Sequence, residues 1–265
     1  MNLDRIYKKN ILKTIKDSRE YSPRTFGIKG DITGKNTKIA IIGTGLPVNK
    51  NIGNFADFDT LAENINSPYD ATGHSTILAG FLGSKSSGHI KGMVPHSTIY
   101  NVKAFGEDLY SSPATITASI LWCIIKNVHI IIIPFKLDFT YRPLCDAVKK
   151  ANDEGIFILT VPSPWFEEYP ITIPIKGLKR RKAFKLVRSG SPTGPIGVAI
   201  PIKSCVSLYG KESYIKVSTE FASIGLAAGV FSALIEKNKE EAKKKCNKID
   251  FAIKVINDIK KISVS

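Results

Sequence analysis

The sequence has no long apolar run. Its longest, HIIIIPF from His129 to Phe135, falls far short of the ~20 residues that a membrane-spanning helix needs. The first twenty residues, MNLDRIYKKNILKTIKDSRE, are too charged to hold the apolar core of a secretory signal. Together these make a cytoplasmic protein the expectation. Cysteine is scarce: four residues, at 123, 145, 205 and 246, with no CxxC pair and no metal-like spacing. Without a secretion signal the thiols are expected to be reduced. Acidic residues are in deficit, 23 against 38 lysines and arginines, which leaves a formal net charge of +15. Aromatic residues are not interleaved with the basic ones as a stacking platform for single strands requires. No helix-turn-helix or zinc-finger spacing occurs either, so nucleic acid is not an expected partner.

The positive charge that is present is clustered. KGLKRRKAFKLVR carries Lys176, Lys179, Arg180, Arg181, Lys182, Lys185 and Arg188 and no acid, a patch suited to an acidic partner. The bland reading of the same stretch is a solvated loop.

Order along the chain points to an α/β fold. TKIAIIGTG is a β-branched run ending in glycines, a buried strand entering a tight turn. STILAGFLGS has helical spacing and follows the turn residues of YDATGH. TIYNVKAF reads as a strand, and SPATITASILWCIIKN as a helix with Ser112 as N-cap and Pro113 at its first position. HIIIIPF and IFILTVP are strands without alternation, hence covered on both faces. Between them lies an amphipathic helix, RPLCDAVKKANDEG, closed by Gly155. Strand and helix alternate again around Tyr214 to Lys237, and a last helix spans about Asp250 to Ile262. Such alternation predicts three layers, a mostly parallel central sheet with helices on both faces. No repeat or linker divides the chain, so residues 23–265 are expected to form one domain, preceded by a basic amphipathic segment, 1–22. Functional loops should follow the strands: GTGLP, PFKLD and PSPWFEE.

Four of these blocks, in order, resemble the subtilisin-like serine proteases. KIAIIGTGLP resembles the strand and turn ending in Asp-Thr/Ser-Gly. DATGHSTILAG resembles the Gly-His-Gly-Thr-His-Val-Ala-Gly helix start. KGMVPHSTIYNVKAF with ITASILWCIIKNVHIIIIPF resembles the path to the substrate-binding edge. VSTEFASIGLAAGVFSALIEKN resembles the Gly-Thr-Ser-Met-Ala-Ser-Pro helix that presents the nucleophile. The resemblance implies a triad of serine, histidine and aspartate acting as a unit. In this register His74 takes the histidine position, Gly43 the aspartate position and Glu220 the serine position. The asparagine that would donate to the oxyanion falls at Pro162, Ser163 and Pro164, and no asparagine occurs between Asn152 and Asn238. The substrate-pairing edge falls at Pro134, Phe135 and Lys136; proline has no N–H to donate to an added strand.

With these departures the expectation is a pseudoprotease. It would not be an enzyme; His74 would be a remnant, and the protein would bind a peptide or protein, possibly acidic, near Phe135, Trp165 and the basic stretch. Glu220 would pair with His74 and raise its pKa. No metal or other cofactor is expected, although calcium stays open because the family's calcium loops find no match. The alternative is a subtilisin-like endopeptidase or hydrolase with rearranged catalytic residues. A second alternative is a basic binder of nucleic acid or an anionic surface, marked by a steep salt dependence.

Overall fold

Four apolar stretches form the middle of the sheet: β1 (Lys38–Gly43), β3 (Thr98–Lys103), β4 (Ile130–Ile133) and β5 (Phe157–Thr160). In β4 and β5 every residue is buried. The reason is that successive side chains point to opposite faces and both faces are covered. Ile39, Ile41, Ile130, Ile132, Phe157 and Leu159 enter one core layer. Their alternates Ala40, Ile42, Ile131, Ile133 and Ile158 enter the other. The computed structural model describes residue 15 and residues 20–61, 67–85, 89–136, 141–162, 172–178, 185–188, 196–201, 205–217, 219–242 and 248–264.

The first layer is completed by α1 (His74–Gly83), α4 (Thr219–Ala242) and α5 (Lys248–Val264), which supply Leu78, Phe231 and Val255 among others. The second is completed by α2 (Pro113–Ile125) and α3 (Arg142–Asp153), with Ile116, Ile120, Leu144 and Val148. The three-layer α/β architecture is thus the one expected. Ser112 caps α2 by accepting from the Thr115 amide at 3.1 Å, with Pro113 beside it. Gly155 closes α3 in the left-handed region, φ +70°, which a side chain rarely adopts.

The sheet has eight strands in the order β2-β3-β1-β4-β5-β6-β8-β7, adding β2 (Phe55–Thr60), β6 (Thr172–Leu178), β7 (Lys185–Arg188) and β8 (Ile196–Pro201). All neighbours are parallel except β7 and β8. Two parts differ from expectation. The strand before α4, β10 (Ser213–Val217), pairs antiparallel with β9 (Cys205–Tyr209) in a separate hairpin rather than joining the main sheet. The basic stretch is not wholly loop: β6 contains Lys176, and β7 runs from Lys185 to Arg188. Lys179, Arg180, Arg181 and Lys182 lie outside the described residues, as do Ser163, Pro164, Trp165 and most of segment 1–22. Tyr21 is described; it is buried and stacks on Phe26 at 6.0 Å.

The small residues of α4 let it approach α1 and its flank. A Cβ on Gly225 would meet the Phe81 ring at 3.0 Å, and one on Gly229 would meet Met93 at 2.9 Å. This fixes the start of α4, where Glu220 stands, beside the start of α1, where His74 stands; Phe221 touches His74. Among the described residues no helix is long and apolar enough to cross a membrane.

Candidate active site

Three segments meet at the C-terminal edge of the sheet. The turn after β1 and the loop before α1 are laced together by backbone bonds, Leu46 N–H to Pro68 O at 2.8 Å and Asp70 N–H to Leu46 O at 3.0 Å. The chain leaving β4 brings Phe135 against the His74 ring at 5.6 Å.

Asp70 is the hub. Its Oδ1 accepts from Thr44 Oγ1 (2.7 Å), the Gly73 amide (2.9 Å) and Thr72 Oγ1 (3.3 Å). Its Oδ2 accepts from the Thr76 amide and the Thr76 hydroxyl, both at 2.7 Å. Five donors fix this buried side chain in place, so its lone pairs are satisfied without water. Because the Thr72 hydroxyl donates its one proton to Asp70, it accepts from His74 Nδ1, 2.9 Å away. For the neutral ring this puts the proton on Nδ1 and the lone pair on Nε2.

The ring itself is half-buried between Phe135 and Phe221, the latter edge-on at 5.2 Å, with Phe105 behind Phe135 at 4.2 Å. Burial lowers the imidazole below its ordinary value of 6.5, and the Asp70 charge offsets this in part. The Glu220 side chain lies outside the described residues; the direction found is a lowering rather than the expected rise, because burial beside the apolar rings disfavours the cation, and the group bonded to Nδ1 is Thr72. At neutral pH the ring is an uncharged base.

Gly43 sits in the aspartate register for a packing reason. A Cβ there would come within 2.4 Å of Ser75 Oγ, which accepts from the Thr44 amide at 2.9 Å. Ser75 fills the space that an aspartate at 43 would need. Lys103 pairs with Gly43 across β1 and β3; it is buried and donates to the Ser67 and Tyr69 carbonyls at 2.8 and 2.9 Å.

The other expected positions divide. Pro134 is buried at the end of β4, Lys136 is exposed beside Phe135, and Pro162 is exposed after β5. Lys176, on β6, lies three strand spacings from β1, about 14 Å. Among the described residues no three His, Cys, Asp or Glu side chains gather as a metal site. Cys123, Cys145 and Cys205 are free; burial pushes the Cys123 thiol up, and the Cys205 thiol up to about 11, so neither is an activated nucleophile. Sequence reasoning missed Asp70 and Thr72, although Asp-x-Thr-x-His in DATGH was the available signal.

No family model matches the chain. The minor extracellular protease Epr of Bacillus subtilis (strain 168) is 25% identical over 220 residues, covering 80% of this chain and 34% of Epr. The serine protease AprX of the same organism is 30% identical over 100 residues, 36% of this chain and 23% of AprX. The thermostable alkaline protease of Halalkalibacterium halodurans is 27% identical over 129 residues, 48% of this chain and 36% of that protein. The chain thus spans between 23% and 36% of these relatives' lengths. A solved mutant of the protease domain of PatA matches in fold with a TM-score of 0.63 at 13% identity, over 81% of this chain and 84% of that one.

The relatives are subtilisin-like serine proteases, and the α/β fold is that of a subtilisin-like protease domain. This corrects the expectation that the chain is not an enzyme: the proteins it is similar to are named as proteases. A carboxylate is linked to the histidine from the loop before α1 rather than from position 43: Asp70 accepts from Thr72, and Thr72 is bonded to His74 Nδ1. Epr is extracellular by name, so kinship lends no support to a cytoplasmic location.

Proposed function

We propose that the chain is a subtilisin-like peptide hydrolase with rearranged catalytic residues. His74 is the general base, and Asp70, acting through Thr72, orients it in place of an aspartate at 43. The observation that carries this reading is the chain of hydrogen bonds Asp70–Thr72–His74, which engages Nδ1 and so directs the lone pair of the neutral ring to Nε2. Kinship with named proteases supports the reaction class.

Glu220 stands in the register of the nucleophile and offers no hydroxyl, so water is the attacking group. His74 Nε2 takes a proton from water as the water oxygen bonds to the scissile carbonyl carbon. The imidazolium then returns the proton to the amide nitrogen as the C–N bond breaks, giving a carboxylic acid and an amine, which exchange a proton in solution to carboxylate and ammonium. With no asparagine amide for the oxyanion, turnover is expected about 10²–10³-fold below that of an enzyme that has one. A peptide or protein is the substrate.

The test pairs mass-spectrometric detection of cleaved peptides with a fluorophosphonate label, on the wild type and on His74→Ala. Cleavage that needs His74 and is unaffected by the label supports the water route. A labelled serine would assign an acyl-enzyme instead, and the absence of cleavage in the wild type would overturn the reading.

A further inference from the structure

The family register puts no carboxylate at 43, yet the lysine directly across from Gly43 is buried deep in the fold. Lys103 is only 4% exposed. A buried ammonium is costly unless its protons are satisfied. Here two go to backbone oxygens, those of Ser67 at 2.8 Å and Tyr69 at 2.9 Å. Both carbonyls belong to the three residues that immediately precede Asp70. A third tie is made by the backbone, since Leu46 donates to Pro68 O and Asp70 donates to Leu46 O. The 67–70 loop is therefore gripped from β3 through a side chain and from the β1 turn through the main chain. Gly45 shows how close the second grip is: a Cβ there would fall 2.6 Å from the Tyr69 carbonyl oxygen.

We infer that Lys103 is a positioning residue for the His74 base. It holds the carbonyls of Ser67 and Tyr69 and so places Asp70, which in turn sets Thr72 and the tautomer of His74. The Lys103 ammonium nitrogen is bonded to the two loop carbonyls and acts through the loop. The inference rests on the reading of His74 as an oriented base.

The experiment reads the His74 ring nitrogens by two-bond ¹H–¹⁵N NMR in the full chain, for the wild type and for Lys103→Met, which keeps the length and loses the donors. The wild type should show Nδ1 protonated and Nε2 bare. In Lys103→Met the ring should become a mixture, with the Nδ1–H form falling by at least threefold relative to the other. A purely structural role would lower the melting temperature and leave the tautomer as it was; that result overturns the inference. If the wild type itself lacks the Nδ1–H form, the reading of the site fails first, so the two failures are distinct. Should Lys103→Met not fold, Lys103→Gln keeps a single donor group for one of the two carbonyls. A tautomer unchanged in that variant overturns the inference, and a mixed ring supports it.

Discussion

Thr72→Val isolates the link between carboxylate and histidine. Valine matches threonine in shape and removes only the hydroxyl, so Asp70 keeps its bonds from Thr44, Gly73 and Thr76 and the loop stays in place. What is lost is the acceptor for His74 Nδ1 at 2.9 Å. An N–H left unsatisfied in a half-buried, aromatic-lined site costs about 1–3 kcal/mol. That cost falls on the tautomer with a free Nε2, so the reactive form is depleted and kcat should drop roughly 5- to 150-fold. KM should change little, because Thr72 orients the base rather than holding the substrate. Initial-rate kinetics on a cleaved peptide measure both constants, and the ring nitrogens measure the tautomer. A Thr72→Val protein with wild-type kcat and an unchanged tautomer would refute the relay.

Other expectations follow from packing and titration. His129 is held near pKa 4 by burial and by the charges of Lys239 and Lys38, and its Nδ1 accepts from the Lys38 amide. The unfolded chain takes up that proton near 6.5, so this contribution is complete above pH 6.5 and is lost as pH falls toward 4, about 3 kcal/mol in all. Urea unfolding at pH 7, 5.5 and 4 should show the loss, and His129→Asn should flatten it; equal slopes in the two proteins would argue against it. Gly43→Asp drives a side chain into Ser75 Oγ and should destabilise by roughly 1–3 kcal/mol. Adding Ser75→Gly should recover much of that, and thermal melts of the two variants decide. Gly73→Ala should cost at least ~1–2 kcal/mol from its left-handed φ of +85°. A further cost comes from the Tyr209 ring, 2.2 Å from the new Cβ. Tyr209→Ala should relieve only the second part.

The parts of the fold that were legible in sequence are those where one signal dominated. The four isoleucines of β4 and the Ser112–Pro113 start of α2 each left one solution. The edge strand β2 was not read, because FADFDT puts two aspartates into a six-residue run. The end of the sheet was misjudged for the same reason, since KGLKRRKAFKLVR looks solvated whether or not its ends pair as β6 and β7. At the site, the family register singled out His74 and, separately, Phe135 at the substrate edge; that their rings lie 5.6 Å apart came only with the structure. It could not locate Asp70, because register compares positions and this carboxylate sits four residues before the histidine. The packing of Gly43 against Ser75 is likewise invisible in one dimension: only in three does a Cβ at 43 fall 2.4 Å from Ser75 Oγ.

The most direct measurement is the pH dependence of peptide cleavage by the wild type and by His74→Ala. Cleavage should rise with pH through one ionisation lying below the ordinary imidazole value of 6.5, as the half-buried ring requires, and should disappear in His74→Ala. Cleavage that survives the loss of His74, or a wild-type protein that cuts no peptide at any pH, would contradict this.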